Sequence, residues 1–428
     1  MPEAVIVAAS RSPIGKAGKG SLREMRGDDL ATAIIAAALS QVPQLDPAEI
    51  DDILLGCAQP AGEQGNGLAR VLAVMLGLDG VPGTTVQRYC ASSLQTTRMA
   101  MHAIRARESS VLISAGVEAV SRYPAGKADG MPGSHNPVFA EAEERQPSSG
   151  WADPREQGEL PNAYLAMGET AENVAGRYGI SRAEQDAYAL RSQQRAAQGT
   201  ADGFWDMDIT PVTAADGTLV TADDCPRPGT TLDGLAALKP AFRPDGTVTA
   251  GNCCPVNDGA AALVVMSDVR AAELGIQPLA RIVSTGVSAI SPEIMGVTPI
   301  EASRRALANA GMTVGDVDLM EINEAFAAQV IPCVRELGID ESAVNVYGGA
   351  IALGHPYGMT GARITTTLLH ALQAKDKQIG LETMCAAGGQ GMAMVIERLS
   401  LPPSLLGQQA SRQAGSGPFR DPNAVRPR

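Results

Sequence analysis

Cys90 stands where the strand-like run 84–89 gives way to a helix, in Val86-Gln87-Arg88-Tyr89-Cys90-Ala91-Ser92-Ser93-Leu94-Gln95. A thiol at a helix N-terminus feels the positive end of the helix dipole and the free backbone N–H groups, and both favour thiolate. The same N–H groups can hold an oxyanion. A small buried cysteine used for packing is the alternative reading. His355 lies in a run with five glycines between Gly348 and Gly361 and is followed by Pro356. That composition predicts a tightly turned loop that approaches something closely. Neither GxxxxGKS/T nor GxGxxG fits it, so the phosphate-cradling signatures are not met. A histidine fixed near a cysteine is a base that activates the nucleophile; one merely exposed on a glycine-rich loop is the alternative. Cys385 follows an apolar run in Met384-Cys385-Ala386-Ala387-Gly388-Gly389-Gln390-Gly391, where a packed small residue is the plain reading. Asn323, before Glu324-Ala325-Phe326, reads either as a helix cap or as an amide that holds a water or ligand. Cys253 and Cys254 are adjacent, and vicinal cysteines do not readily bridge.

The elements that must position these residues alternate. Helices are expected over 28–41, 66–78 and 92–107, and strands over 53–56, 84–89 and 111–116. This alternation argues for an α/β fold with helices covering sheets. From 122 to 251 the chain is rich in Pro, Gly, Ser and acidic residues, with helical islands at 168–178 and 182–201. That stretch reads as a large insertion draped over the core. Buried-strand patterning restarts at 260–266, and a second α/β unit runs over 279–399. Helix 31–41 with its acidic link and strand matches helix 302–310 with its own link and strand at an offset of about 267 residues. The same offset carries the Cys90 junction close to His355-Pro356-Tyr357, and the strand 111–116 close to 379–385. Three features at one offset favour a duplication, which would bring corresponding loops to one shared site. The ordinary repetition of helix–strand units is the alternative. The expected division is an N-terminal half at 1–272 including the loop domain 122–251, a C-terminal half at 273–400, and a mobile tail at 401–428.

Composition narrows the function classes. The 428 residues carry 34 Lys+Arg against 47 Asp+Glu, a formal net charge of −13. That balance argues against a nucleic-acid coat or a basic membrane-surface protein, and 3% aromatic residues argue against a base-stacking surface. An anionic small ligand needs only a local basic patch. No apolar stretch of about 18 residues occurs, so no transmembrane helix is expected. The apolar start at 4–9 has no basic flank and does not read as a signal peptide. Seven scattered cysteines, an odd number, fit a reducing compartment, and a cytoplasmic location is expected. The four histidines are dispersed and no CxxC or HExxH spacing occurs, so no metal site is expected.

Taken together the motifs resemble those of the thiolases, the acyl-CoA C-acetyltransferases. Arg88 to Gln95 resembles the nucleophile motif, Asn323-Glu324-Ala325-Phe326 the NEAF motif, Gly349 to Pro356 the GHP motif, and Cys385 to Gly391 the CxG-type motif. Further matches are Ala4 to Gly15, Met167 to Ala175, Thr249 to Asn252, Asn257 to Ala262 and Met295 to Pro299. The resemblance runs in order over about residues 3 to 398 at family spacing. It implies two βαβαβαββ halves in a five-layered αβαβα arrangement with an inserted loop domain.

The resemblance also implies roles. Cys90 is the acyl-accepting nucleophile, His355 takes its proton, and Cys385 exchanges the proton at the α-carbon of acetyl-CoA. One oxyanion hole is His355 with a water held by Asn323; the other is the backbone N–H groups of Cys90 and Ala387. Coenzyme A is a substrate and no cofactor is implied. Its adenine and phosphate end would approach Arg227, and its pantetheine Met167, Ala250 and Cys254, with Phe326 in the same binding region. Partners are acyl-CoA and CoA, with no nucleic acid and no membrane, in a homodimer or homotetramer. Some residues depart from the pattern. Ser93 and Ala387 stand where glycine is usual, Cys254-Pro255 where Ser-Gly is usual, and Ala166 where short-chain biosynthetic members commonly carry His. The last favours a degradative 3-ketoacyl-CoA thiolase over a biosynthetic acetoacetyl-CoA thiolase. A non-catalytic acyl-CoA carrier should be missing Cys90, His355 or Cys385, and all are present. Tyr357 and Met359 flank the GHP loop and are expected to shape the acyl pocket.

Overall fold

Strands that are apolar at every position must be covered on both faces. In the computed structural model, which describes residues 1–145 and 151–399, they are; the expectation for 401–428 lies outside these residues. The first half runs β1 (Ala4–Arg11), β2 (Gly15–Lys16), α1 (Gly27–Ser40), β3 (Asp52–Gly56), α2 (Leu68–Met75), β4 (Gly83–Val86), α3 (Ser92–Ala106) and β5 (Val111–Ala119). A long excursion follows, with α4 (Ala140–Glu144), α5 (Met167–Tyr178), α6 (Arg182–Ala201), α7 (Phe204–Asp208), the short pair β6 (Val212–Thr213) and β7 (Leu219–Val220), and α8 (Leu232–Ala236). The chain returns through β8 (Asn257–Ser267) and α9 (Asp268–Glu273). The second half is β9 (Ala280–Ala289), α10 (Thr298–Ala310), β10 (Leu319–Ile322), α11 (Ala327–Leu337), α12 (Ala350–Leu353), α13 (Thr360–Ala374), β11 (Ile379–Ala386) and β12 (Gln390–Arg398).

The strand order is β10-β11-β12-β9-β1-β8-β5-β3-β4, with β2 beside β8. It reads as two copies of one half-sheet. β3 is parallel to β5 and to β4, β5 antiparallel to β8, and β8 antiparallel to β1. In the second half β10 is parallel to β11, β11 antiparallel to β12, and β12 antiparallel to β9. The counterpart of β4 is reduced to one parallel bridge between Met320 and Val344. The copies meet where β1 and β9 pair antiparallel at Val5–Arg281 and Ile6–Ala280.

Alternate side chains of each strand feed different cores, and this builds the five layers. Leu30, Ile34 and Leu72 of α1 and α2 pack on Ile53, Leu55 and Val264. Leu94 and Ile104 of α3 and Ile364 and Leu368 of α13 lie between the half-sheets, against Leu54, Leu263, Met384 and Met394. Ala306 of α10 and Val330 and Val334 of α11 cover Ile322, Leu381 and Val395 on the far side. Each fully buried Leu or Ile stabilises the fold by roughly 1.5–3 kcal/mol. Helix α2 is shorter than expected, because Gly67 takes a left-handed conformation at its start and Gly77 another just past its end. The excursion holds more structure than its two expected islands: α4, α7, α8 and the β6–β7 pair are local turns too short for periodicity to reveal. Among the described residues no helix is long and apolar enough to cross a membrane.

Candidate active site

The two helices of the middle layer aim their N-termini at one region. Cys90 sits in the turn Tyr89–Ala91 between β4 and α3. Tyr89 is held at φ +45, a conformation that costs a non-glycine residue of order 1–3 kcal/mol. The Ser92 hydroxyl clips the turn: it donates to the Tyr89 carbonyl (2.6 Å) and accepts from the Arg88 N–H (2.9 Å). Cys90 is half-buried, and its own N–H and that of Ala387 lie near enough to its sulfur to favour thiolate. The expectation of a lowered thiol pKa is corrected. Burial and the nearby charges of Cys385 and Glu118 push the thiol up, and the two N–H groups only partly oppose them. The resting group is the thiol, so a base is needed to generate the nucleophile.

His355 is buried, 1% exposed, which removes the reading of an exposed loop residue. Its backbone N–H is anchored on Asn257 Oδ1 (2.9 Å). Nδ1 lies 2.6 Å from Thr360 Oγ1 and Nε2 lies 3.3 Å from Asn323 Nδ2. Burial, with Arg363 nearby, brings the imidazole down to about 3, so it is neutral at physiological pH. Tyr357 meets the ring edge-on (5.1 Å between centroids, 84°). The same tyrosine is close enough to the thiols of Cys254 and Cys90 for them to raise its own pKa. His355 and Cys90 therefore share Tyr357 as a neighbour.

Asn323 does not cap a helix, since α11 begins only at Ala327. Its N–H continues the β10–β11 pairing to the Thr383 carbonyl (3.0 Å). Its Oδ1 is a buried acceptor with no donor among the described residues, as suits an amide kept for a ligand or water. Glu324 is fully used in fastening. It accepts from Tyr188 (2.9 Å), Ser192 (2.6 Å), Asn345 (2.7 Å) and the Ile351 N–H (3.1 Å), tying α6 and α12 to the end of β10.

Cys385 is the penultimate residue of β11 and is 1% exposed. It packs with Met295, Ala325 and Phe326, with Met167 and Cys253 against the same cluster. Burial, with Cys333 beside it, pushes its thiol up to about 12. Gly388 and Gly389 take positive φ in the following loop, and Ala387 does not, so alanine is unstrained where it replaces glycine. Cys254 is half-buried and lies within electrostatic range of Cys90 and Cys385; its N–H bonds the Ala325 carbonyl (3.0 Å). Phe326 is buried and meets Phe242 edge-on at 6.1 Å. Met167 opens α5. Arg227 and Ala250 are exposed on the excursion; the Arg227 N–H bonds Gln193 Oε1 (2.7 Å). Sequence reading missed Thr360 and Glu118. Both left a signal: a hydroxyl five residues after the histidine, and a carboxylate at the end of an apolar strand.

The duplicated fold thus places Cys90 in the turn before α3, Cys385 near the end of β11, and His355 in the loop between α12 and α13. Residues 4–269 match the family model "Thiolase, N-terminal domain" and residues 276–398 match "Thiolase, C-terminal domain". The chain belongs to the thiolase family. It is 42% identical over 410 residues to the 3-ketoacyl-CoA thiolase of Bacillus subtilis (strain 168), covering 93% of this chain and 100% of that one. It is 43% identical over 405 residues to the beta-ketoadipyl-CoA thiolase of Pseudomonas aeruginosa, covering 93% and 99%. The crystal structure of the Bacillus anthracis acetyl-CoA acetyltransferase superposes with a TM-score of 0.81 at 39% identity, covering 93% of this chain and 99% of that one.

Proposed function

We propose that this chain is a degradative 3-ketoacyl-CoA thiolase acting through an acyl-Cys90 intermediate. Cys90 sulfur adds to the 3-keto carbon while His355 takes the thiol proton. The N–H groups of Cys90 and Ala387 hold the resulting oxyanion. Collapse breaks the bond between carbons 2 and 3, and the electron pair leaves on the enolate of acetyl-CoA. That enolate is stabilised at its thioester oxygen by His355 and a water held by Asn323. Cys385 gives carbon 2 its proton and recovers one from the imidazolium. The shortened acyl group remains on Cys90 as a thioester. His355 then takes the proton of an incoming CoA thiol, which displaces the acyl group, and the proton returns to Cys90.

The observation that supports this reading is that Cys385 and the Ala387 N–H lie within range of the Cys90 sulfur, and that Tyr357, edge-on to the His355 ring, lies within range of the same thiol. This is consistent with a nucleophile, an oxyanion donor and a second thiol acting together with an imidazole that is neutral and so able to act as base. The degradative direction is supported by the names of the relatives and by Ala166. By the family resemblance, CoA is assigned to Arg227, Met167, Ala250, Cys254 and Phe326. A homodimer or homotetramer is supported by β4, a sheet-edge strand with unpaired backbone on its outer side. Seven free cysteines support a cytoplasmic setting. Light scattering in solution tests the oligomer. Comparing kcat/KM on acetoacetyl-CoA with that on longer 3-ketoacyl-CoAs, each with CoA, tests the substrate. Preference for the longer substrates is expected; turnover confined to acetoacetyl-CoA would favour the biosynthetic reading that the Bacillus anthracis neighbour raises.

A further inference from the structure

Glu118 is fully buried near the end of β5. Its carboxylate accepts from five donors. Oε2 takes the N–H groups of Ala58 (2.8 Å) and Gly358 (2.9 Å); Oε1 takes Gln64 Nε2 (3.0 Å), the Tyr123 hydroxyl (3.0 Å) and the Cys57 thiol (3.8 Å). All five partners donate, so an ionised carboxylate satisfies the set. The Gly358 bond crosses from the first half to the loop that carries His355 and Tyr357. Clearance there is small. A Cβ at Gly358 would lie 2.3 Å from the Val117 carbonyl oxygen, and one at Gly116 would lie 2.1 Å from the Gly358 carbonyl oxygen.

We propose that Glu118 is a positioning residue for the thiolase reaction, pinning the loop from His355 to Met359 through Gly358 to β5 and to the segment that carries Cys57, Ala58 and Gln64. The proposal rests on the reading of Cys90 as the nucleophile. Glu118 has a second effect of opposite value. Its charge reaches the Cys90 sulfur and, with Cys385 and burial, disfavours thiolate. Other titratable groups near that sulfur are Tyr89, Cys254 and Tyr357, with the neutral His355 ring edge-on to Tyr357, while the Arg88 guanidinium bonds Gln390 (3.0 Å). Removing the charge therefore makes the thiol easier to ionise and yet slows catalysis. A residue serving stability alone would not produce that combination.

The test is Glu118→Gln in the full chain, with thermal unfolding as the folding check. The amide sets one donor against the Gln64 and Tyr123 donors, which loosens the clamp. Two quantities are read: steady-state kinetics on acetoacetyl-CoA plus CoA, and the pH dependence of Cys90 alkylation by iodoacetamide followed on its peptide. We expect kcat to fall by roughly tenfold or more with KM within about twofold, and the alkylation midpoint to move down. Wild-type kcat in the folded variant, or a midpoint unshifted or raised, overturns the proposal. If Glu118→Gln does not fold, Tyr123→Phe removes one donor and leaves the charge less compensated. Its alkylation midpoint should rise and its kcat fall a few-fold; no change in either overturns the proposal. Failure of wild-type Cys90 to take an acetyl group from acetyl-CoA would instead refute the nucleophile assignment, while the alkylation shift would remain measurable.

Discussion

The hydroxyl of Thr360 lies 2.6 Å from Nδ1 of His355 and donates its only proton to the Pro356 carbonyl at 2.7 Å. It must therefore accept from Nδ1–H. The imidazole proton is placed on Nδ1, and Nε2 faces Asn323 as an acceptor. A base needs this tautomer. Thr360→Val keeps the shape and removes the acceptor. We expect kcat to fall by roughly tenfold or more with little change in KM, and Thr360→Ser to restore most of it. Equal kcat in Thr360→Val would show that the hydroxyl does not set the tautomer.

The depressed imidazole pKa has a consequence for stability. The unfolded histidine titrates near 6.5 and the folded one near 3, so the unfolded state binds the extra proton between these values. Stability from this group is complete above pH 6.5 and declines by about 1.4 kcal/mol per pH unit as the pH falls towards 3. Urea unfolding across that range should lose this component of the slope in His355→Gln. Identical slopes in the two proteins would contradict the assignment.

Cys385 is assigned to carbon 2 and not to the acyl group. Cys385→Ala should still pass an acetyl group from acetyl-CoA to Cys90, yet lose deuterium exchange at the acetyl methyl and thiolytic turnover. Retained methyl exchange would move the proton transfer to another residue.

Ser93, which stands where glycine is usual in thiolases, accepts from the Ala362 N–H at 2.9 Å and so joins the start of α3 to the first turn of α13. Ser93→Ala strands a buried backbone donor. A loss of about 1–3 kcal/mol is expected, measurable by chemical unfolding. An unchanged stability would mean that the N–H finds another acceptor.

Cys90 and His355 stand out in the sequence because the first lies at a strand–helix junction and the second in a glycine-rich run, while Cys385, within β11, stands out only by its resemblance to the family motif. The duplication is visible because β3 and β10 stand at one offset together with the links before them. Other features depend on neighbours distant in the chain. Nothing local to Val344 reveals that the second half keeps only one bridge where the first has β4. The direction of the Cys90 shift does not follow from the helix dipole alone, because burial, Cys385 and Glu118 act on the sulfur through the fold. Thr360 lies in the glycine-rich run around His355, yet its role appears only once the Pro356 carbonyl has taken its proton.

The most direct measurement is incubation of the wild-type chain with acetyl-CoA, rapid acid quench and mass spectrometry of the Cys90 and Cys385 peptides. One acetyl group on the Cys90 peptide, removed by added CoA and lost in Cys90→Ser, is the expected result. Acetyl on Cys385 with Cys90 unmodified, or full turnover by Cys90→Ser, would contradict the assignment of Cys90 as the acyl acceptor.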